Sequence, residues 1–212
     1  MGRNFFWPVI LLAVFLFSVG VVRSEFRVGV KEGDWIEYRV FLAGTPPEGH
    51  EVVWARSDVI SVQGKTIDLK ITSEFANGTQ VDDTVTMNLE TGQLGDLFII
   101  PANMQEGDVF PSVYHGNVTI ADLEQRTCAG AIRSVVSATA VGSIYFWDQE
   151  TGILVEGISE FSDYSIHSSI DKTNMWEPKI LGLQAVVFYG LILIIIVAAL
   201  APAAFFVLRR KE

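Results

Sequence analysis

The side chains that most often carry chemistry are few in this chain and far apart. His50, His115 and His167 show no metal-ligand spacing such as His-x-x-x-His. His167 alternates with Tyr164, Ile166 and Ile170 and reads as the outward face of a strand. Asp148-Gln149-Glu150-Thr151-Gly152 sets two carboxylates in one tight turn but lacks the further oxygen ligands and distal Glu of a calcium loop, so turn chemistry accounts for it. Asp82-Asp83 reads as a solvated strand surface. No Gly-x-Ser-x-Gly elbow, phosphate loop or dinucleotide fingerprint occurs. The carboxylates are numerous enough for two to meet as in a glycosidase, a separation that only tertiary structure sets. Cys128, in the run TCAGAIRSVV, is the single cysteine, which excludes an intrachain disulfide. It is expected to be a small buried hydrophobe, with an intermolecular disulfide as the alternative. Catalytic, cofactor and metal residues are therefore assigned to none, and no cofactor is implied. Asn77-Gly78-Thr79 and Asn117-Val118-Thr119 match the glycosylation sequon, with Asn77 favoured because it sits at a hairpin tip.

The elements that must position these residues are strands. Lys65–Phe75 alternates, with Ile67, Leu69, Ile71 and Phe75 on one face and Asp68, Lys70, Thr72 and Glu74 on the other. Gln80–Leu89 does the same with Val81, Val85, Met87 and Leu89 against Asp82, Thr84, Thr86 and Asn88, interrupted by Asp83. Asn77-Gly78 joins the two as a hairpin turn, and Gln63-Gly64 and Thr91-Gly92 turn before and after them. The stretch 51–100 is expected to be a four-strand meander. Further strands are expected at 117–121, 130–141, 143–148, 152–161 and 163–170, with Asp148–Gly152 turning a hairpin. A loop with a short helical turn is expected over 101–116, and large helices are not expected in this region. Glu32-Gly33-Asp34-Trp35 is echoed by Glu106-Gly107-Asp108-Val109 and more loosely by Gly95-Asp96-Leu97-Phe98, a turn-into-strand device. Trp35, Trp54, Trp147, Tyr38, Tyr114 and Tyr145 would serve as core, or line an apolar groove in a curved sheet.

Two apolar blocks bracket these strands. Residues 180–208 carry no charge and are followed by Arg209, Arg210 and Lys211. As a helix this block would rise about 43 Å, more than the roughly 30 Å hydrocarbon core of a bilayer. It is expected to span a membrane with the basic cluster on the cytoplasmic side and Trp176 at the outer interface. Pro202, near its end, would kink it at small cost. Residues 5–22, behind Arg3, form a second block. Cleavage after Ser24 would make residues 1–24 a signal peptide; uncleaved, they are an N-terminal anchor. The expected division is thus 1–24 signal or anchor, 25–178 extracytoplasmic domain, 179–208 transmembrane helix and 209–212 cytoplasmic tail.

Residues 25–178 hold 24 Asp plus Glu against 9 Lys plus Arg, a net charge of −15, where the whole chain carries −10. Such a surface repels nucleic acid and anionic headgroups and favours solubility or cationic partners. A single domain of about 155 residues buries a sizeable core without disulfides.

Three segments carry a resemblance: GDWIEYRV opening the domain, IPANMQEGDVF in mid-chain and YFWDQETGILVE late in it. They resemble a loose group of uncharacterised archaeal cell-surface proteins with a signal sequence, a β-rich outer domain and a C-terminal transmembrane anchor. The resemblance covers most of the exported segment and implies an archaeal envelope setting, with no activity or catalytic residue to carry over. The chain lacks the Pro-Gly-Phe tripeptide of archaeal sorting-type tails, which favours a retained helix. The last hairpin is also dimly similar to lipoprotein-carrier half-barrels.

The expected fold is mainly β: a curved antiparallel meander, half-barrel or sandwich-like, plus one C-terminal transmembrane helix. The expected function is that of a non-enzymatic, membrane-anchored extracytoplasmic binding or interaction module, with an envelope protein or lipid as partner and no nucleic acid. Two alternatives stand beside it: a carrier or sensor of a lipid or isoprenoid in the concavity of the sheet, and a secreted hydrolase using paired carboxylates.

Overall fold

The computed structural model of the chain describes residues 26–92, 97–180, 183–184 and 186–197. The expected signal segment 1–24, Gly95-Asp96 of the third turn, Pro202 and Arg209–Lys211 lie outside the described residues.

Among the described residues eleven strands make up the domain: β1 (Trp35–Gly44), β2 (Val52–Gln63), β3 (Thr66–Phe75), β4 (Gln80–Asn88), β5 (Val109–Ser112), β6 (Gly116–Thr119), β7 (Asp122–Cys128), β8 (Ala131–Ala140), β9 (Ser143–Asp148), β10 (Leu154–Glu160) and β11 (Tyr164–Thr173). Nine of them form one antiparallel sheet in the order β4-β3-β2-β1-β11-β10-β9-β8-β7, and β5 and β6 pair separately. Every neighbouring pair in the large sheet is a sequential hairpin except β1 with β11. That one contact joins an N-terminal meander to a C-terminal one, and β4 and β7 are the sheet's two open edges.

The alternation read in β3 holds: Ile67 and Leu69 are fully buried while Lys70 is exposed. Met87 in β4 and Leu89 just past its end are buried, but Val81 is exposed because the start of this edge strand has no apolar cover. Asn77-Gly78 turns between β3 and β4 as expected, with Gly78 at φ +81° and the Thr79 N–H donating to Asn77 Oδ1 at 2.9 Å.

The two described copies of the Glu-Gly-Asp turn are built alike. Lys31 N–H donates to Asp34 Oδ2 at 2.9 Å and Gln105 N–H to Asp108 Oδ2 at 2.8 Å. Gly33 and Gly107 have φ of +84° and +86°, which favours glycine. Each turn then docks on a second strand or its flank by paired backbone bonds, Gly33 and Asp34 with Val59, Gly107 and Asp108 with Ile120.

Several boundaries differ from expectation. The fourth strand of the meander is β1, not a strand near residue 100: residues 97–100 make only the isolated bridge Ile99↔Ile153. Residues 101–116 carry strand β5 in place of a helical turn, since Val109–Ser112 finds a partner in Gly116–Thr119. β7 was not anticipated at all, because Asp122–Cys128 is mostly polar and lies at an edge.

Adjacent residues on β8 show how the domain buries its apolar surface. Val135 and Val136 point to opposite faces and both are fully buried. Val136 joins Trp147, Leu154, Ile100, Phe110 and Val118, a cluster in which β5 and β6 and the segment before them cover β8 and β9. Trp147 donates its indole N–H to the Leu97 carbonyl at 2.6 Å and meets Phe110 edge-on. Val135 joins Phe146, Cys128 and Trp176 in a larger cluster that continues to Ile36, Ile67 and Leu69.

Trp176, expected at a membrane interface, is instead 9% exposed, donates to the Cys128 carbonyl at 3.0 Å and lies under the Arg133 guanidinium. Its ring is therefore part of the domain core, an aromatic cap on the β7–β8 end rather than a group presented to headgroups.

Beyond the domain, Lys179–Ile180 pairs with Leu183–Gln184, and residues 186–197 are helical with mostly exposed side chains. Among the described residues no helix is long and apolar enough to cross a membrane.

Candidate functional site

The described surface carries a groove in which charged side chains from separated strands converge. It encloses about 420 Å³ and is lined by Arg126, Thr127, Cys128, Val155, Glu156, His167, Ser169 and Ile170. Arg126 comes from β7 and Glu156 from β10, with β8 and β9 between them in the sheet. The guanidinium bridges that gap by lying flat over Phe146 of β9, 3.5 Å from the ring centroid, and it donates to Glu124 and to Glu156. The other oxygen of Glu156 pairs with His167 Nε2 at 2.7 Å.

A backbone irregularity aims Glu156. Leu154 pairs with Trp147, yet Glu156 pairs with Phe146, so Val155 is the extra residue of a bulge. The extra residue turns Glu156 onto the Phe146 face, where strict alternation from Leu154 would have turned it away. Ser169 stands opposite Glu156, and His167 opposite Ile158, on that same face. Chemically this is a hydrogen-bonded chain of carboxylate, guanidinium, carboxylate and imidazole, and both oxygens of Glu156 are committed to it.

Beside the groove the inner end of β8 is fixed by a buried ion pair. Asp148 is 1% exposed and accepts from Arg133 Nε at 2.7 Å and Nη2 at 3.1 Å, and from the Thr151 N–H and hydroxyl. Arg133 also reaches Glu150 at 2.7 Å, and the hydrogen bond to Asp148 holds its guanidinium more firmly protonated than usual. The Asp148–Gly152 turn thus directs its first carboxylate inward to an arginine. Burial, with the charge of Asp148 adding to it, pushes the Cys128 thiol up to about 11.

The remaining expected residues are dispersed. Asn77 is exposed at the β3–β4 tip, and Asn117 is exposed on β6. His50 stacks edge-on to Tyr164, and His115 lies against Tyr145. The three histidines therefore do not meet, and among the described residues no cluster of three or more His, Cys, Asp or Glu is arranged to hold a metal. Trp147 and Tyr38 are core, with the Tyr38 hydroxyl donating to the Leu154 carbonyl at 2.8 Å, while Trp35 lies under Arg56 on the charged face. Burial raises the Tyr38 phenol far above its ordinary range.

Neither the groove nor the Arg133–Asp148 pair was read from sequence. Arg126, Glu156 and His167 sit on three strands, and the bulge that aligns them has no residue-type signature. The available signal was Arg126 itself, one of only two Lys or Arg between residues 71 and 171, inside an acidic domain. Compared with family models and with curated proteins, the chain matches none.

Proposed function

We propose that this chain is a membrane-anchored extracytoplasmic interaction module, non-enzymatic, displaying an open β domain to a partner in the cell envelope. The observation that carries the reading is where the chain enters and leaves the sheet. β1 begins and β11 ends side by side, Ile36 opposite Thr173, and Asn174 laces the two together through Trp35 N–H and the Gly33 carbonyl. Both apolar blocks of the sequence therefore attach at one end of the domain. The opposite end, where Gly44 pairs with Tyr164, lies about 27 Å away along the strands.

Residues 1–24 are on this reading the export signal or a second anchor, the part of 179–208 that follows the Leu183–Gln184 strand the membrane span, and Arg209–Lys211 its cytoplasmic stop. The sheet is further read as a half-barrel, curved enough that Arg126 of β7 reaches past β8 and β9 to Glu156 of β10. The groove there has Cys128, Val155 and Ile170 in its wall, but the Arg126–Glu156–His167 chain crosses it with Ser169 and Thr127 beside, and an isoprenoid would have to strip water from those charges. For that reason the interaction surface is placed elsewhere than in the groove.

The test is fractionation and protease accessibility of the full chain in intact cells. Retention in the membrane pellet after alkaline extraction, with residues 26–178 digestible from outside, is the expected result. Recovery in the soluble fraction, or a domain protected until the cells are lysed, overturns the proposal.

A further inference from the structure

We infer that the far end of the sheet docks a cationic segment of a partner protein, its Lys or Arg side chains received by an exposed aromatic stack framed by carboxylates. This deepens the interaction-module reading and rests on it for where the surface faces. Phe161, at the β10–β11 turn, is 50% exposed and stacks on Tyr164 with centroids 4.3 Å apart and planes at 15°. His50, from the β1–β2 loop, meets Tyr164 edge-on at 6.1 Å. The two loops are held together, so the patch is preformed. Thr45 N–H donates to the Asp163 carbonyl at 3.2 Å, and Gly44 has φ +85° with no room for a Cβ against that same carbonyl.

The charge around the stack has one sign. Residues 40–55 and 157–170, which build this end, contain Glu48, Glu51, Glu160 and Asp163 and no Lys or Arg. The nearest cation along β1, Arg39, is paired with Asp171 at 3.1 Å. An aromatic face carries negative potential, so ring and carboxylates attract the same ligand, an ammonium or guanidinium group. The alternatives fail on charge. A second copy docking by two-fold symmetry would bring the same four carboxylates together. Anionic headgroups are repelled, and a wholly apolar partner would strip water from carboxylates without replacing it.

The test uses the full chain in nanodiscs of zwitterionic lipid, titrated with a short synthetic peptide alternating Arg and Ser and with its Glu and Ser counterpart. The Arg peptide is expected to bind saturably and more weakly as salt rises. Phe161→Ala, and separately Glu160→Gln with Asp163→Asn, should each weaken it about threefold or more. Glu32→Gln, which removes one charge at the attached end, should leave the affinity unchanged. The proposal is overturned by absence of saturable binding, by equal binding of the Glu peptide, or by a Glu32→Gln loss as large as that of the far-end pair. Should Phe161→Ala fail to fold, the carboxylate pair decides. Nanodiscs expose both sides of the bilayer, so the titration is independent of which side the domain faces. A chain that does not enter nanodiscs is titrated free in buffer with the same peptides and variants, so failure of the anchor reading and failure of this proposal remain distinguishable.

Discussion

At Asp148 one buried carboxylate satisfies a guanidinium, a backbone N–H and a hydroxyl at once. Removing it leaves Arg133 largely buried with only the exposed Glu150 to answer it. Asp148→Ala is expected to cost about 3–5 kcal/mol, read as a lower denaturation midpoint. Cys128 gives a second residue-scale expectation. Its folded pKa, about 11, lies above the unfolded value of roughly 8.5. Its contribution to stability is therefore complete below the unfolded value and lost as pH rises through the folded one. Native protein should resist thiol alkylation at neutral pH and react once unfolded, and Cys128→Ala should abolish this part of the alkaline loss of stability. On the solvent face, Thr86 and then Ser61 donate to Asp68 at 2.6 and 2.7 Å and hold its carboxyl below the usual range. That contribution is present above the unfolded pKa and lost as pH falls through the lowered folded one. Thr86→Val should move the Asp68 titration, followed by carboxyl NMR, upward toward about 3.9.

Among the elements, the β9–β10 hairpin does more than turn the chain. Gly152 sits at φ +74°, and a Cβ there would lie 2.1 Å from the Ile100 carbonyl oxygen. That crowding comes from the Ile100 N–H bonding to the Gly152 carbonyl at 2.8 Å, the contact that ties the segment covering β8 and β9 to the sheet. Gly152→Ala is expected to cost about 2 kcal/mol or more and to expose Trp147 to fluorescence quenchers, since the same segment roofs that ring. The turn was legible in the sequence as a hairpin, but the close approach was not, because its partner lies some fifty residues away. β3 and β4 were legible because each has one wet and one dry face. β7 was not, because Asp122, Glu124 and Arg126 alternate with Leu123, Gln125 and Thr127, so neither face of this edge strand reads as an apolar row.

For the molecule as a whole, pairing of the first and last strands of the large sheet brings the chain's entry and exit together. Each apolar block of the sequence then leaves from the same end, and the acidic aromatic end is left opposite. Asn77, at the β3–β4 tip, shares that far end with the β1–β2 loop, as Phe75 pairs with Val52. If the domain is exported through a glycosylating pathway, Asn77→Gln should lower the mass of the mature protein by one glycan, read by intact mass spectrometry, with the fold unchanged.

The sequence by itself determined the class of the fold and the sites of its turns, because alternation of side chains and the φ demands of Asn-Gly and Glu-Gly-Asp are local physics. It also set the acidity of the domain and the apolar character of both ends. Tertiary structure alone decided the pairing of β1 with β11, the bulge at Val155 that turns Glu156 toward Arg126, and the burial of Trp176. Each depends on which distant backbone lies alongside, and local residue types do not encode that. The far-end patch belongs to both: its lack of Lys and Arg can be read in two separate stretches of sequence, but only the β1–β11 pairing makes them one surface.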